Sequence, residues 1–365
     1  MAVSFGALPG TNLIGAGSRY SAVAVAIVLL GACLTGCRRE PIPAQQILAG
    51  RTMGTSYSVT IVPWPDMPDL AEISNRVDRE LVRVNEQMST YIESSELSQF
   101  NAQQSTDWFP VSIETAEVVL LALEIHQLTD GVFDVTVGPL VDLWGFGPPG
   151  QSEHLPTNEQ VAETLHVVGS EKLAARLDPP ALKKSVPGLR VDLSAIAKGH
   201  GVDRVAAVLD QLQCKNYFVE VGGEVRVRGN RMGGGPWRVG IEKPTEGNRE
   251  IQQAIELLNL SLATSGDYRN FYEAEGQRIT HFIDPKSGLP IASEIGSVSV
   301  LDENCATADG IATGLMSAGL ERALALAERH QWAVMLVVHR DGQLDTITTP
   351  QFLDLTKSPA HEDSQ

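Results

Sequence analysis

Cysteine is scarce in this chain: there are four in 365 residues, and two of them, Cys33 and Cys37, sit near the start. The other two, Cys214 and Cys305, have no CxxC spacing. A disulfide framework or a cysteine zinc site therefore cannot organise the fold. At most one bridge could form in an oxidising compartment, against the alternative of two buried thiols. Positive charge is also short, 28 Lys and Arg against 45 Asp and Glu for a net charge of −17. That balance argues against nucleic acid as a partner, because phosphate backbones need a basic surface. No GxGxxG follows the first strand-like segment, which argues against a doubly wound dinucleotide fold. Of the eight histidines, His126, His154, His166, His200, His330, His339 and His361 show no metal-ligand spacing and read as structural or solvated. No internal repeat is present.

What is present is enough for a sizeable core: 43% hydrophobic residues with 20% charged. The length predicts one large or two modest domains. Residues 21–32 form an apolar run, too short for a comfortable membrane span, after a segment whose one charge is Arg19. The run ends in Leu34-Thr35-Gly36-Cys37, a secretory pattern in which small residues precede the cut and a cysteine follows it. Residues 1–36 are thus expected to be a signal peptide, and 37–46, with Pro41 and Pro43, a tether. The alternative is an uncleaved anchor; either way the rest lies outside the cytoplasm.

Hydrophobic spacing predicts a half-buried strand from Tyr57 and a helix over 69–88, then a polar loop to Asn101. A helix over 113–128 should start at Ser112, with Glu114 and Glu117 in its first turn. The Gly/Pro run 144–150 reads as a surface loop or lid, and Thr157 as the cap of a short helix to 168. Gly222-Gly223 should turn a hairpin between 217–221 and 225–228. Strands are expected over 237–241, 254–263, 297–301 and 333–338, one amphipathic helix over 307–328, and a disordered tail over 355–365. Helices alternating with hairpin runs make the fold class α+β, in one continuous domain over 47–354.

Three stretches could carry chemistry. The first is Val191 to Gly201, read as a short strand running into a small-residue helix start, with Asp192 at the strand end and Lys198 one turn in. Unpaired helix N–H groups and nearby charge suit an anion and a metal there. The bland reading is a helix capped by Asp192 or Ser194, with Lys198 in solvent. The second is Thr264 to Tyr268 followed by His281 to Pro290, where His281 could transfer a proton or contact phosphate. The third is Asp309 and Thr313, four apart at a helix start, a hard oxygen pair suited to Mg²⁺. Asp309 could equally be a first-turn acid, and Thr313 a core hydroxyl bonded to the preceding turn.

Taken together, Met53-Gly54-Thr55, Met88 to Tyr91 with Ser95 to Asn101, Phe133 to Leu140, Asp192 with Lys198-Gly199, Gly222-Gly223-Glu224, Ser265 to Tyr268, His281 with Asp284-Pro285, and Ala308-Asp309 with Thr313 occur in order. This ordered set resembles the ApbE family, the FAD:protein FMN transferases, many of them periplasmic lipoproteins, over residues 47–340. Two positions depart from the common pattern: Glu224, where aspartate is usual, and Ala195, where only the backbone oxygen matters. Leu34 to Cys37 resembles a lipobox, which implies lipidation of Cys37 and membrane anchoring on the periplasmic side.

The resemblance implies the following roles. Met53, Tyr91, Val132, Phe133, Asp134, Asp192, Lys198 and Ile283 would contact FAD, with Lys198 near the pyrophosphate. The Ala195 carbonyl, Asp309 and Thr313 would hold Mg²⁺. His281 would move a proton at the reacting phosphate, with Asp284 and Lys198 beside it in catalysis. The acceptor would be an exported subunit of a membrane redox complex bearing a Ser/Thr flavinylation motif, and AMP would be released. An FAD pyrophosphatase yielding FMN and AMP, or a flavin-binding lipoprotein without turnover, are the alternatives.

Overall fold

The structure is a computed structural model that describes residues 44–147, 155–245, 250–267, 271–274 and 276–357. The signal peptide, Cys37, most of the tether, part of the Gly/Pro loop, Tyr268 and the end of the tail lie outside the described residues. From Ala44 onward the chain is one compact unit. Among the described residues, no helix is long and apolar enough to cross a membrane.

Alternation of buried and open residues builds an eight-stranded sheet whose pairings are all antiparallel. In spatial order its strands are β1 (Gln46–Thr52), β2 (Thr55–Ile61), β6 (Tyr217–Val221), β7 (Glu224–Arg228), β10 (Ser261–Gly266), β13 (Ile295–Asp302), β14 (Ala333–Arg340) and β15 (Gln343–Thr348). At the β1 end, Tyr57, Val59, Val219 and Val221 pack against α1 (Leu70–Met88) and α6 (Ala197–Gln211). Farther along, Ala263, Val298, Val300, Val334 and Leu336 pack against α3 (Ile113–Leu128), α7 (Cys305–Ala318) and α8 (Leu320–His330). The opposite face, through Val225, Leu262, Met335 and Val337, is covered by β8 (Trp237–Glu242), β9 (Ile251–Leu257) and Phe352 of α9 (Pro350–Thr356). Short helices α2 (Glu96–Ala102), α4 (Gly138–Leu143) and α5 (Asn158–Leu165), strands β3 (Phe109–Pro110), β4 (Leu173–Leu177) and β5 (Pro180–Lys184), and the pair β11 (Phe271–Ala274) and β12 (Gln277–Thr280) complete the unit. This is the α+β architecture the element pattern predicts.

Several elements differ from expectation, each for a physical reason. The stretch to Asn101 is not all loop: Ser95 accepts from Ser98 N–H at 3.0 Å and starts α2, which buries Leu97 and Phe100. Residues 189–193 form no strand. They are held extended by Asn101, whose side chain accepts from Val191 N–H at 2.7 Å and donates to Val191 O at 2.8 Å, as a strand partner would. The predicted strand 254–263 is two strands, broken at Asn259 with φ 55°. The predicted helix 307–328 is α7 and α8, separated at Gly319 with φ 75°. The fold continues through β15 and α9, so Leu355 and Thr356 are helical rather than disordered; burial of Phe352 holds that helix. In the Gly/Pro loop, Trp144 is buried and donates from Nε1 to Gly288 O at 2.8 Å, which makes that part a packed wall and not a lid.

Candidate active site

Two helix starts and a hairpin tip create the site. Gly199 lets α6 press on α7: a Cβ built there would meet Cys305 C at 2.6 Å and Ala306 Cα at 2.8 Å. That approach places Lys198 beside Asp309, with Nζ 3.4 Å from both carboxylate oxygens, while Gly199 N–H donates to Asp309 Oδ2 at 3.0 Å. The Gly222-Gly223 turn, with φ of 62° and 106°, brings Glu224 to the same amine at 2.8 Å. Asp309 is 2% exposed and Glu224 2%, whereas the Lys198 side chain is 31% open to the cavity.

The electrostatics follow from one amine facing two carboxylates. Burial pulls the Lys198 amine down, but Asp309 and Glu224 outweigh it and hold it above its ordinary value. Burial pushes Glu224 up and the Asp309 charge adds to that, against the pull of Lys198. Asp309 is likewise pushed up by burial, countered by Lys198 and the Gly199 N–H. Glu224 Oε2 has no hydrogen-bond partner among the described residues. A cluster with an excess carboxylate, an unpaired buried oxygen and the Thr313 hydroxyl, 3.0 Å from Ser265 Oγ, fits a hard divalent cation. Among the described residues no three His, Cys, Asp or Glu side chains are grouped to hold a metal. A cation at Asp309 would therefore draw on Thr313 and on backbone oxygen such as that of Ala195, which lines the same cavity.

That cavity, about 330 Å³, also meets Val132, Phe133, Asp134, Asp192, His281 and Ile283. A second cavity, of about 510 Å³, is lined by Met53, Met88, Tyr91 and Ile92 and shares Ser194 and Lys198 with the first. The sequence-predicted residues thus converge, with different parts to play. Met53, at φ 48° in the β1–β2 turn, packs near Gly201. Tyr91 is 72% exposed at the rim of the second cavity. Phe133 is buried, its ring close to Gly310 on α7. Asp134 is fully engaged: its carboxylate accepts from Thr136 N–H and Oγ1 and from Ser170 N–H and Oγ, at 2.6–3.0 Å. It fixes the cavity loop from below. Asp192 caps its own turn, accepting from Ser194 N–H at 2.8 Å and Oγ at 2.6 Å. Neither it nor Ser194 caps α6, whose N-cap is Ile196.

His281 faces the cavity with its ring 4.1 Å from that of Phe282 and 6.2 Å from that of Phe146. Asp284 is placed differently from expectation. Its carboxylate accepts from Lys286 N–H at 3.2 Å and Ser287 N–H at 3.1 Å, and it is not among the cavity residues. It shapes the turn that presents His281 and Ile283. Sequence reasoning left without a role Ser265, beside Thr313, and Lys184, which donates to the carbonyls of Phe100, Asn101 and Leu189 at 3.2 Å. Lys184 carries no sequence signal, whereas Ser265 lies within the Ser265 to Tyr268 motif.

Comparison with known proteins identifies the family. The model of the ApbE family matches residues 53–336. The chain belongs to the ApbE family. Among its ApbE relatives, a Vibrio cholerae protein named FAD:protein FMN transferase is 47% identical over 331 residues, covering 90% of this chain and 97% of the relative. Proteins of the same name from Haemophilus influenzae and Escherichia coli K12 are 41% and 37% identical, covering 92% and 89% of this chain and 97% and 95% of themselves. The solved flavin transferase ApbE from Vibrio cholerae superposes with TM-score 0.80 at 44% identity, over 86% of this chain and 99% of that one. The flavinyl transferase ApbE of Pseudomonas stutzeri gives 0.79 at 35% identity, over 86% and 97%.

Proposed function

We propose that this ApbE chain is an FAD:protein FMN transferase acting on a Ser or Thr hydroxyl of an acceptor protein. The hydroxyl oxygen bonds to the phosphorus on the FMN side of the pyrophosphate. The bond from that phosphorus to the bridging oxygen breaks, and AMP leaves. One observation carries the reading: Lys198 stands at the junction of two cavities, where the pyrophosphate of a ligand with a large group at each end belongs. Catalysis of this kind is mostly alignment and charge neutralisation, so no covalent enzyme nucleophile is needed.

Lys198 would neutralise phosphate charge, held by Glu224 and Asp309. Asp309 and Thr313, with the Ala195 carbonyl, would hold Mg²⁺, which when bound withdraws charge from the phosphate oxygens. His281 would take the proton of the attacking hydroxyl at its ring nitrogen. Phe282 and Phe146 pack beside that ring. Asp192, Val132 and Ile283 would line the FAD.

The sequence pattern at Leu34 to Cys37 supports a lipid-anchored location on the periplasmic side and so an exported acceptor; that the acceptor is a subunit of a membrane redox complex is what the family resemblance implies. Replacing Cys37 with Ala should abolish incorporation of a labelled fatty acid into the protein. The activity is tested by incubating the protein with FAD, Mg²⁺ and a candidate acceptor, following AMP and the acceptor's intact mass. AMP with an acceptor heavier by one FMN, both lost in Asp309→Ala, is the expected result. AMP and free FMN with every acceptor unmodified would replace the transferase by a hydrolase.

A further inference from the structure

The ladder between β7 and β10 is the shortest in the main sheet. It joins only Arg226 to Ser261 and Val225 to Leu262, although β10 stays paired with β13 from Ser261 to Gly266. Leu260 O accepts from Val227 N–H at 2.9 Å. By strand alternation, Leu262, Thr264 and Gly266 turn their backbone groups to that same side. Past Leu262 nothing on β7 pairs with them: the chain has entered Glu224 and the Gly222-Gly223 turn. Among the described residues, Thr264 and Gly266 therefore present an unpaired strand edge inside the sheet, and such an edge is a template for another chain.

Unlike the outer edges of β1 and β15, this seam opens on the active-site cavity. On one face that cavity touches Gly222, Thr264 and Gly266. On the other face lies a polar groove of about 350 Å³ that also touches Gly222 and Thr264, with Ser56 and Arg238 on its outer walls. Gly222 stands between the cavity and the groove, where a Cβ would meet Thr55 Cγ2 at 2.8 Å and Lys198 Cδ at 3.2 Å. Gly223 beside it faces open space.

We infer that this groove and seam dock the acceptor polypeptide. An extended acceptor segment lies in the groove, adds to β10 at Thr264 and Gly266 as a short strand, and puts its hydroxyl through the seam toward Lys198 and Asp309. This rests on the transferase reading, since a water nucleophile would need no groove behind the sheet. The alternating donors and acceptors of an extended peptide match the edge that β7 leaves bare.

The test uses the whole protein with an acceptor that it modifies, and compares two variants. Thr264→Pro removes an amide that faces the seam and spares the ladder to β13. Ser56→Tyr fills the groove from an exposed position outside the FAD cavities. Each should raise the acceptor KM about tenfold more than it raises the FAD KM. Acceptor-dependent protection of the Thr264 to Gly266 amides from hydrogen exchange should accompany this. An unchanged acceptor KM in Ser56→Tyr with no protection at β10 would overturn the docking site and leave the transferase standing. Failure of the unmodified protein to release AMP with any acceptor would remove both.

Discussion

At the scale of single residues, the site is a buried charge problem. Among the described residues Lys198 is the one amine between two nearly closed carboxylates, so its removal leaves Glu224 without a cation and Asp309 with only the Gly199 N–H. Lys198→Met should destabilise the metal-free protein by about 2–3 kcal/mol, below the range for fully enclosed pairs because the lysine is partly open. Denaturant unfolding without divalent cations measures this, and AMP release should fall below detection in the same variant. His200 presents the opposite case. Buried on α6 with Nε2 unpartnered among the described residues, it has its pKa lowered from 6.5 to about 4, first by burial and then by the Arg204 charge. Its unfolded form takes a proton more readily than its folded form. The stability it contributes is therefore complete above pH 6.5 and is lost as pH falls toward 4, by at most about 3 kcal/mol. Melting curves across that interval should flatten in His200→Gln relative to the parent.

At the scale of elements, the α6–α7 contact decides whether the site exists. It depends on Gly199, whose missing side chain lets two backbones meet. Gly199→Ala should cost about 1–3 kcal/mol by overpacking. It should also widen the Lys198 to Asp309 spacing, and so lower turnover more than FAD affinity; kinetics and equilibrium unfolding together separate the two effects. The elements themselves were legible where periodicity and caps agree. Ser112 and Thr157 both cap as expected, and Gly222-Gly223 turns the hairpin. They were illegible where one residue resets the backbone within an unbroken apolar pattern. Gly319 divides α7 from α8, and Asn259 divides β9 from β10, without interrupting the hydrophobic spacing.

For the molecule as a whole, a cation held at the excess carboxylate would tie stability to its concentration. Mg²⁺ at about a hundred times its dissociation constant should add about 2.7 kcal/mol, seen as a melting shift of a few degrees. Calorimetry on the Asp309→Ala variant should show no such shift. A full shift in that variant would place the ion elsewhere.

The sequence alone determined the fold class, the order of the motifs, and which residues could do chemistry, because residue type and local spacing are one-dimensional properties. Asp309 and Thr313 share a helix face by spacing alone. Met53, Lys198, His281 and Asp309 are far apart in the chain, and only tertiary structure decided that they line two cavities joined at Lys198. It did so through contacts with no local signature: Asn101 standing in for a strand beside Val191, and Lys184 collecting three carbonyls behind it. The structure also decided between roles that sequence treats alike. Asp134 lines the cavity with its carboxylate engaged by backbone and hydroxyl donors, Asp284 holds a turn, and Asp309 meets Lys198 and the Gly199 N–H. Which acid is free to act depends on what surrounds it in space, and neighbours in space are what folding creates.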